Sequence, residues 1–435
     1  MDCEVRVTDF SVFAAKDYRR SRGAYHLECA FEYFVSLLVT DSFLALLLTH
    51  IGLSESTIGV LSSLISLAFL FELLSIFVVE HIVNKKRFAI LFHMAGQLLF
   101  GALYLIPFLP IPSAYKGTVC VICILCAYFG NYFVTAMIYK WGNSFVDPRK
   151  RGVFSSVKEM ISLLSGIVVT VAAGYIMGMF TDAGNTEGWF LFAGISIFVF
   201  CLCDLVCLLL IRKEVVPKEQ TRTRIPLRTV LHETLGNRCF VNTVILASLF
   251  QAACYTTVGF LGTYKNFLYP VAIVQVINAA ANLMRFALSR PFGYFSDKFT
   301  YAKGLRLGFV VAAIAFAANI FATPDTRFLI IVFTVLYGIS GAGTSQNLLN
   351  ISYSYVDSRY FVQATAIKSS ISGLCGFGAS VLAGRLLSHI QQNGNTLFGI
   401  PVYGQQVLSA ISLVLMVAAI LFCKFVIEKQ KVMLQ

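Results

Sequence analysis

Runs of about 20 apolar residues recur along the whole of this 435-residue chain, and a helix of about 20 residues crosses the roughly 30 Å hydrocarbon core of a bilayer. A soluble domain carries about 25% charged residues. Here charged residues make up 13% and hydrophobic residues 57%, too few charges to clothe so much apolar chain in water. Twelve runs stand out. Six lie near 27–49, 57–80, 88–109, 118–140, 153–180 and 188–211; six more lie near 239–263, 270–295, 305–323, 328–354, 362–388 and 404–426. The spacing predicts an all-α membrane protein of twelve transmembrane helices in two six-helix bundles, 26–211 and 239–426, with polar segments 1–25, 212–238 and 427–435. Asp182-Ala183-Gly184-Asn185 reads as a loop, and Pro110, Pro112, Pro270 and Pro324 mark helix ends.

The two bundles carry an internal echo. Val146-Asp147-Pro148-Arg149 returns 210 positions later as Val356-Asp357-Ser358-Arg359. The register continues without a gap through Ser144/Ser354, Lys158/Lys368, Ile161/Ile371, Ser162/Ser372, Leu164/Leu374, Gly166/Gly376, Ala173/Ala383 and Gly174/Gly384. Such an echo predicts two pseudo-symmetric copies of one unit, an arrangement frequent in secondary transporters, whose substrate site lies between the repeats.

The net charge of +12 does not point to nucleic acid, because the basic residues sit in the short connections. With both termini placed in the cytoplasm, 24 of the 34 Lys and Arg fall in inner segments and only Lys116, Lys265 and Arg327 in outer loops. The positive-inside rule therefore predicts a multi-pass protein of the cell membrane with cytoplasmic termini. Residues 1–25 are polar and basic and do not read as a cleavable signal. Cysteines lie mostly within apolar runs; Cys120, Cys123 and Cys126 read as helix packing, since no His or carboxylate accompanies them. No GxxxxGK[ST], HExxH or GxSxG pattern occurs, so neither ATP-driven pumping nor an enzyme activity is expected, and no cofactor is implied.

Two six-helix halves joined by a basic central stretch resemble the major facilitator superfamily, and the resemblance extends to a motif. Gly293-Tyr294-Phe295-Ser296-Asp297-Lys298, running on to Lys303-Gly304-Leu305-Arg306, is similar to the superfamily's G-x-x-x-D-[RK]-x-G-[RK]-[RK] loop. The first half keeps a degenerate copy in which Ile76 replaces the Gly, Glu80 replaces the Asp, and Lys85-Lys86-Arg87 supplies the basic end. The resemblance implies a charge latch across the cytoplasmic gate. Glu80 would face the start of the eleventh helix near Asp357 and Arg359, while Asp297, followed by Lys298, would face the start of the fifth near Asp147, Arg149 and Arg151. A helix N-terminus carries about half a positive charge, which favours both contacts. The alternative is that these residues only set topology.

Charges within spans cost about 2.5–3.5 kcal/mol on insertion scales and need a reason. Asp41, about mid-depth in the first helix, is the leading candidate for a proton-coupling group, with Glu72 and Glu32 beside it; permanent pairing of Asp41 with a buried Lys or Arg is the alternative. Glu28 and Glu32, one turn apart, are expected to face water near the inner interface. Lys158 and Lys368, being repeat mates, are expected to serve contact between the halves, with substrate binding as the alternative. The resemblance implies a cavity surrounded by the first, fourth, seventh and tenth helices. Asn131, Tyr132, Gln251, Tyr255, Gln346, Asn347 and Asn350 are the candidates there. Asn278, Asn282 and Arg285 form an i, i+4, i+7 stripe on the eighth. Interhelical hydrogen bonding is the competing explanation for each. Arg285 could hold a carboxylate or phosphate, or pair with Glu72 or Asp41. Gly166, Gly174, Gly376, Gly378 and Gly384 allow close helix approach. The chain therefore reads as a monomeric, proton-coupled secondary transporter of a small organic solute in a lipid bilayer; a transport-inactive receptor or scaffold of the same fold is the other reading.

Overall fold

The computed structural model describes residues 16–78, 82, 84–146, 151–212, 232–353, 355–356, 361–397 and 399–430. Fifteen α-helices with both bounds among the described residues build the fold. In the first half these are α1 (Lys16–Leu38), α2 (Asp41–His50), α3 (Glu55–Ser62), α4 (Leu64–Val78), α5 (Lys85–Leu103), α6 (Ser113–Asn143), α7 (Arg151–Asp182) and α8 (Thr186–Leu210). In the second they are α9 (Arg238–Thr257), α10 (Leu261–Leu268), α11 (Val271–Lys298), α12 (Tyr301–Ile320), α13 (Phe328–Tyr353), α14 (Phe361–Gln392) and α15 (Gly404–Phe425).

Among the described residues ten helical segments are long and apolar enough to cross a membrane, and the bent pair α1–α2 makes eleven. The place of the expected third span is taken by the 19-residue α5, which opens on Lys85-Lys86-Arg87. The echo survives in the backbone: α7 and α14 are both 32 residues long, with each end displaced by 210 positions. A two-strand ladder, β1 (Thr396–Leu397) with β2 (Ile400–Pro401), joins α14 to α15.

Polar residues punctuate the helices where the sequence requires it. Asn185 caps α8 by accepting from the Gly188 N–H at 2.8 Å, just after Gly184 turns the chain at φ +67°. Pro112 and Pro270 stand immediately before α6 and α11. Asn237 accepts from the N–H groups of Cys239 and Phe240 at the start of α9.

Three spans are broken. α1 and α2 meet at 44°, with Asp41 left-handed at φ +48°. The carbonyls freed by that break find partners: Tyr104 Oη donates to Leu38 O, and Thr40 Oγ1 donates to Ser36 O at 2.8 Å. The second span breaks at Ser63 and the seventh at the 3₁₀ turn Val258–Phe260. Backbone polar groups must be satisfied inside the protein at membrane depth, so such breaks survive only where side chains supply the missing bonds.

Each half has its own main apolar core. One contains Tyr25, Phe43, Tyr104 and Trp189; the other contains Phe309, Phe316, Phe333 and Met416. Between the halves the helices approach at backbone distance. A Cβ on Gly373 of α14 would stand 2.1 Å from Ser66 O of α4, so only glycine permits this crossing. Gly378, expected in the same role, faces open space. Gly373→Ala is expected to destabilise the protein by about 1–3 kcal/mol through overpacking, read as a lower thermal unfolding midpoint in detergent. A variant as stable as the parent would mean that α4 and α14 do not meet so closely.

Candidate solute cavity and distal seal

The proximal end of the fold holds Lys16, the C-terminus of α11 and the starts of α7, α9 and α14; the distal end holds the connections α2–α3, α10–α11 and α14–α15. A cavity of about 810 Å³ lies between the two halves. It runs from Asp41 and Lys265 to Leu349 and Thr365, which lie about one turn from the proximal ends of α13 and α14. Gln251, Tyr255, Asn278, Asn282 and Arg285, expected from the sequence, all line it, and so do Tyr33, Thr170, Gln275 and Lys368. The only charged side chains lining it among the described residues are Asp41, Lys265, Arg285 and Lys368.

The distal end of the cavity is closed by a polar layer bridging the halves. Lys265 Nζ lies 3.1 Å from Asp41 Oδ2 and 3.3 Å from Oδ1, and donates to Asn278 Oδ1 at 3.2 Å. Asn278 Nδ2 in turn donates to Asp41 Oδ2 at 2.7 Å. Beside it, Asn266 Nδ2 donates to Ser42 O at 3.0 Å. α10 can press this closely on α2 because position 262 is glycine; a Cβ there would lie 2.8 Å from Asp41 O. Farther out, Glu55 Oε2 accepts from Gln391 Nε2 at 2.7 Å and from Gln405 Nε2 at 3.0 Å, which joins the start of α3 to α14 and α15.

Lys265 is a correction to the sequence reading, which left it in an outer loop. It is 8% exposed because the seventh span does not end near 263: after its 3₁₀ turn the chain resumes as α10 and runs to Leu268. Lys368 is likewise more than a contact between repeats. It is 5% exposed, lines the cavity and donates to Leu348 O at 2.5 Å. Its mate Lys158 instead donates to Tyr139 Oη at 3.0 Å and sits over that ring at 4.2 Å.

Arg285 meets neither Glu72 nor Asp41. Its Nη2 donates to Ser345 Oγ at 3.2 Å and lies 3.8 Å from Glu159 Oε1. Glu72 is half-buried on α4, outside the cavity lining. Glu32, Asn131 and Tyr132 line a second, smaller cavity of about 160 Å³ within the first half. Asn347 does not face the solute cavity. Its Nδ2 donates to Ser296 Oγ at 2.9 Å and Gly343 O at 2.7 Å, so it ties α13 to α11, the interhelical alternative to a cavity role. Asn350 is half-buried outside the lining, and the side chain of Gln346 lies outside the described residues.

At the proximal end, where a gate was expected, Asp297 and Lys298 are exposed. Glu80, Asp147, Arg149, Asp357, Arg359 and the side chain of Arg151 lie outside the described residues. Glu28, expected to face water, is fully buried, because the helix face it shares with Ala24 packs into the first half.

A two-fold repeated helical bundle with a solute-sized cavity between its halves, closed at one end, defines a membrane transporter rather than an enzyme. The chain belongs to the Major Facilitator Superfamily, whose profile matches residues 29–380. No curated protein sequence matches it. Among solved structures, a point mutant of the nucleoside transporter NupG superposes with a TM-score of 0.71 at 11% identity, covering 93% of this chain and 99% of the other. A bacterial homolog of the human lysosomal transporter Spinster, in an inward-facing and occupied conformation, gives 0.68 at 16% identity, covering 94% and 97%. A D-xylose–proton symporter gives 0.65 at 16% identity, covering 92% and 97%. At these identities the likeness is one of fold.

Proposed function

We propose that this chain is a secondary active transporter for a small organic anion, that it works by alternating access with both termini cytoplasmic, and that protons drive it through Asp41. The observation carrying the substrate class is the charge of the cavity lining, three cations (Lys265, Arg285, Lys368) against one acid (Asp41). A carboxylate or phosphate suits the planar donor fork of Arg285, and the amide and phenol groups of Gln251, Asn282 and Tyr255 suit a polar body.

Coupling follows from the distal layer. The charged group facing Asp41 is Lys265 of α10; Asn278 of α11 and Ser42 of α2 are neutral. Protonating Asp41 removes the attraction that joins α2 to α10 and frees the Lys265 ammonium toward the cavity. One proton thus loosens the distal seal and adds a cation for the arriving anion, the arrangement a symporter needs. In the opposite state the proximal latch of Glu80 with Arg359, and of Asp297 with Arg149 and Arg151, would close the cytoplasmic side. Asp297→Asn and Arg149→Gln are then expected to reduce transport non-additively; strictly additive losses in the double-mutant cycle would remove the latch.

The test of substrate class is flux into liposomes holding the purified protein. Organic carboxylates and sugar phosphates should compete for uptake, and an inward proton gradient should accelerate it. Competition confined to neutral sugars, nucleosides or lipophilic cations would overturn the anion reading. Failure of every solute to move or to shift thermal stability would favour a transport-inactive receptor.

A further inference from the structure

Inside the first half, away from the solute cavity, three ionisable side chains meet with almost no exposure. Glu28 of α1, His93 of α5 and Asp204 of α8 are 0%, 1% and 1% exposed. One ligand-capable atom from each lies within 4.8 Å of the other two. His93 Nε2 and Asp204 Oδ2 stand 2.8 Å apart, and Cys29 Sγ donates to Glu28 Oε2 at 3.1 Å. The remaining oxygens, Glu28 Oε1 and Asp204 Oδ1, are buried without a hydrogen-bond partner. Buried acceptors left unsatisfied are expensive, and here two of them belong to carboxylates in a lipid-embedded bundle.

Charge makes the same point. Two carboxylates against one imidazolium leave a net negative charge, whereas two carboxylates, a neutral imidazole and a dication sum to zero. One imidazole nitrogen with two carboxylate oxygens is a donor set for zinc and its first-row neighbours rather than for calcium or magnesium, which take oxygen ligands. Zinc bonds of about 2.0–2.2 Å place tetrahedral ligands about 3.3 Å apart. The His93–Asp204 contact would open by about half an ångström and Glu28 would close in, a movement on the scale of side-chain torsions.

The smaller cavity of the first half lies close by in sequence. One turn along the same helices, Glu32 of α1 and Gln97 of α5 line the smaller cavity with Asn131. Gln97 Oε1 and Asn131 Oδ1 are again buried acceptors without donors.

We propose that Glu28, His93 and Asp204 form a binding site for one first-row divalent metal ion, joining α1, α5 and α8 within the first half. The site is separate from the solute cavity and its test does not depend on transport. The full-length protein, purified in detergent and stripped with chelator, is titrated with Co²⁺ and then Zn²⁺. We expect one Co²⁺ per chain with the intense visible absorption of a low-coordinate nitrogen–oxygen site, displacement by Zn²⁺, and a melting temperature that rises with Zn²⁺ concentration. Glu28→Gln, His93→Gln and Asp204→Asn should each weaken binding at least tenfold, while Arg285→Gln and the exposed His389→Gln leave the stoichiometry unchanged. If the triad variants do not fold, the wild-type spectrum and elemental stoichiometry decide alone. Absence of a bound equivalent, which would leave the triad to hold protons only, overturns the proposal. So does a bound equivalent that survives in folded triad variants, which would mark an adventitious ion only.

Discussion

Asp41→Asn is expected to abolish proton-driven accumulation of the solute while leaving solute exchange measurable. The substituted amide cannot carry the proton, and it offers no counter-charge to the Lys265 ammonium that Asp41 now meets at 3.1 Å. Removing one member of a buried ion pair costs about 3–5 kcal/mol because the other charge is stranded. The lower end applies here, since the Asp41 side chain is 31% exposed to the cavity. Removing both members should be nearly neutral. The double variant Asp41→Asn, Lys265→Met is therefore expected to recover most of the thermal stability lost by the single one without recovering accumulation. Gradient-driven uptake and counterflow, measured on the same liposomes, separate these effects. An Asp41→Asn protein that still concentrates solute against a gradient would exclude Asp41 as the coupling group.

The second large effect belongs to Arg285→Gln, which should weaken binding of the anion by roughly 10–100-fold. A hydrogen bond to a charged group contributes about 1.5–3 kcal/mol, and each 1.4 kcal/mol is a factor of ten in affinity. Arg285→Lys keeps the charge and loses the fork, so its affinity should fall between the two. The readout is ligand-induced thermal shift across a concentration series. Equal affinity in the wild type and Arg285→Gln would place the anion elsewhere.

Much of this architecture is visible in the sequence because two of its signals are long. A 20-residue apolar run is hard to mistake, and the Val-Asp-x-Arg echo has its counterpart in two 32-residue helices displaced by 210 positions. The stripe Asn278, Asn282 and Arg285 was legible for the same reason: its period is that of one helix face, and that face lines the cavity. The failures lie where chain geometry departs from a regular helix or where a face must be chosen. Lys265 looked like a loop residue because hydrophobicity fades after the seventh span, yet a 3₁₀ turn restarts the helix and brings it inward. Glu28 and Glu32 share a helix face, and nothing local says that Glu28 is buried beside α5 and α8 while Glu32 lines a cavity. His93 escaped notice as a lone histidine in an apolar run; only Asp204, 111 positions away, gives it meaning. Asn347 has the same composition signal as Gln251 but turns toward Ser296, and periodicity alone cannot distinguish a wet face from a neighbouring helix.

The interruption between Leu38 and Asp41 also changes how the distal mouth can move. α2 is a ten-residue lever on its own pivot, with the carbonyls at the end of α1 already satisfied by Tyr104 and Thr40. Such a lever can tip away from α10 while the long shaft of α1 stays seated among α7 and α8. In the proposed cycle its return against α10 would shut a passenger in before the halves rock, an occluded stage governed by a few residues rather than by an entire bundle.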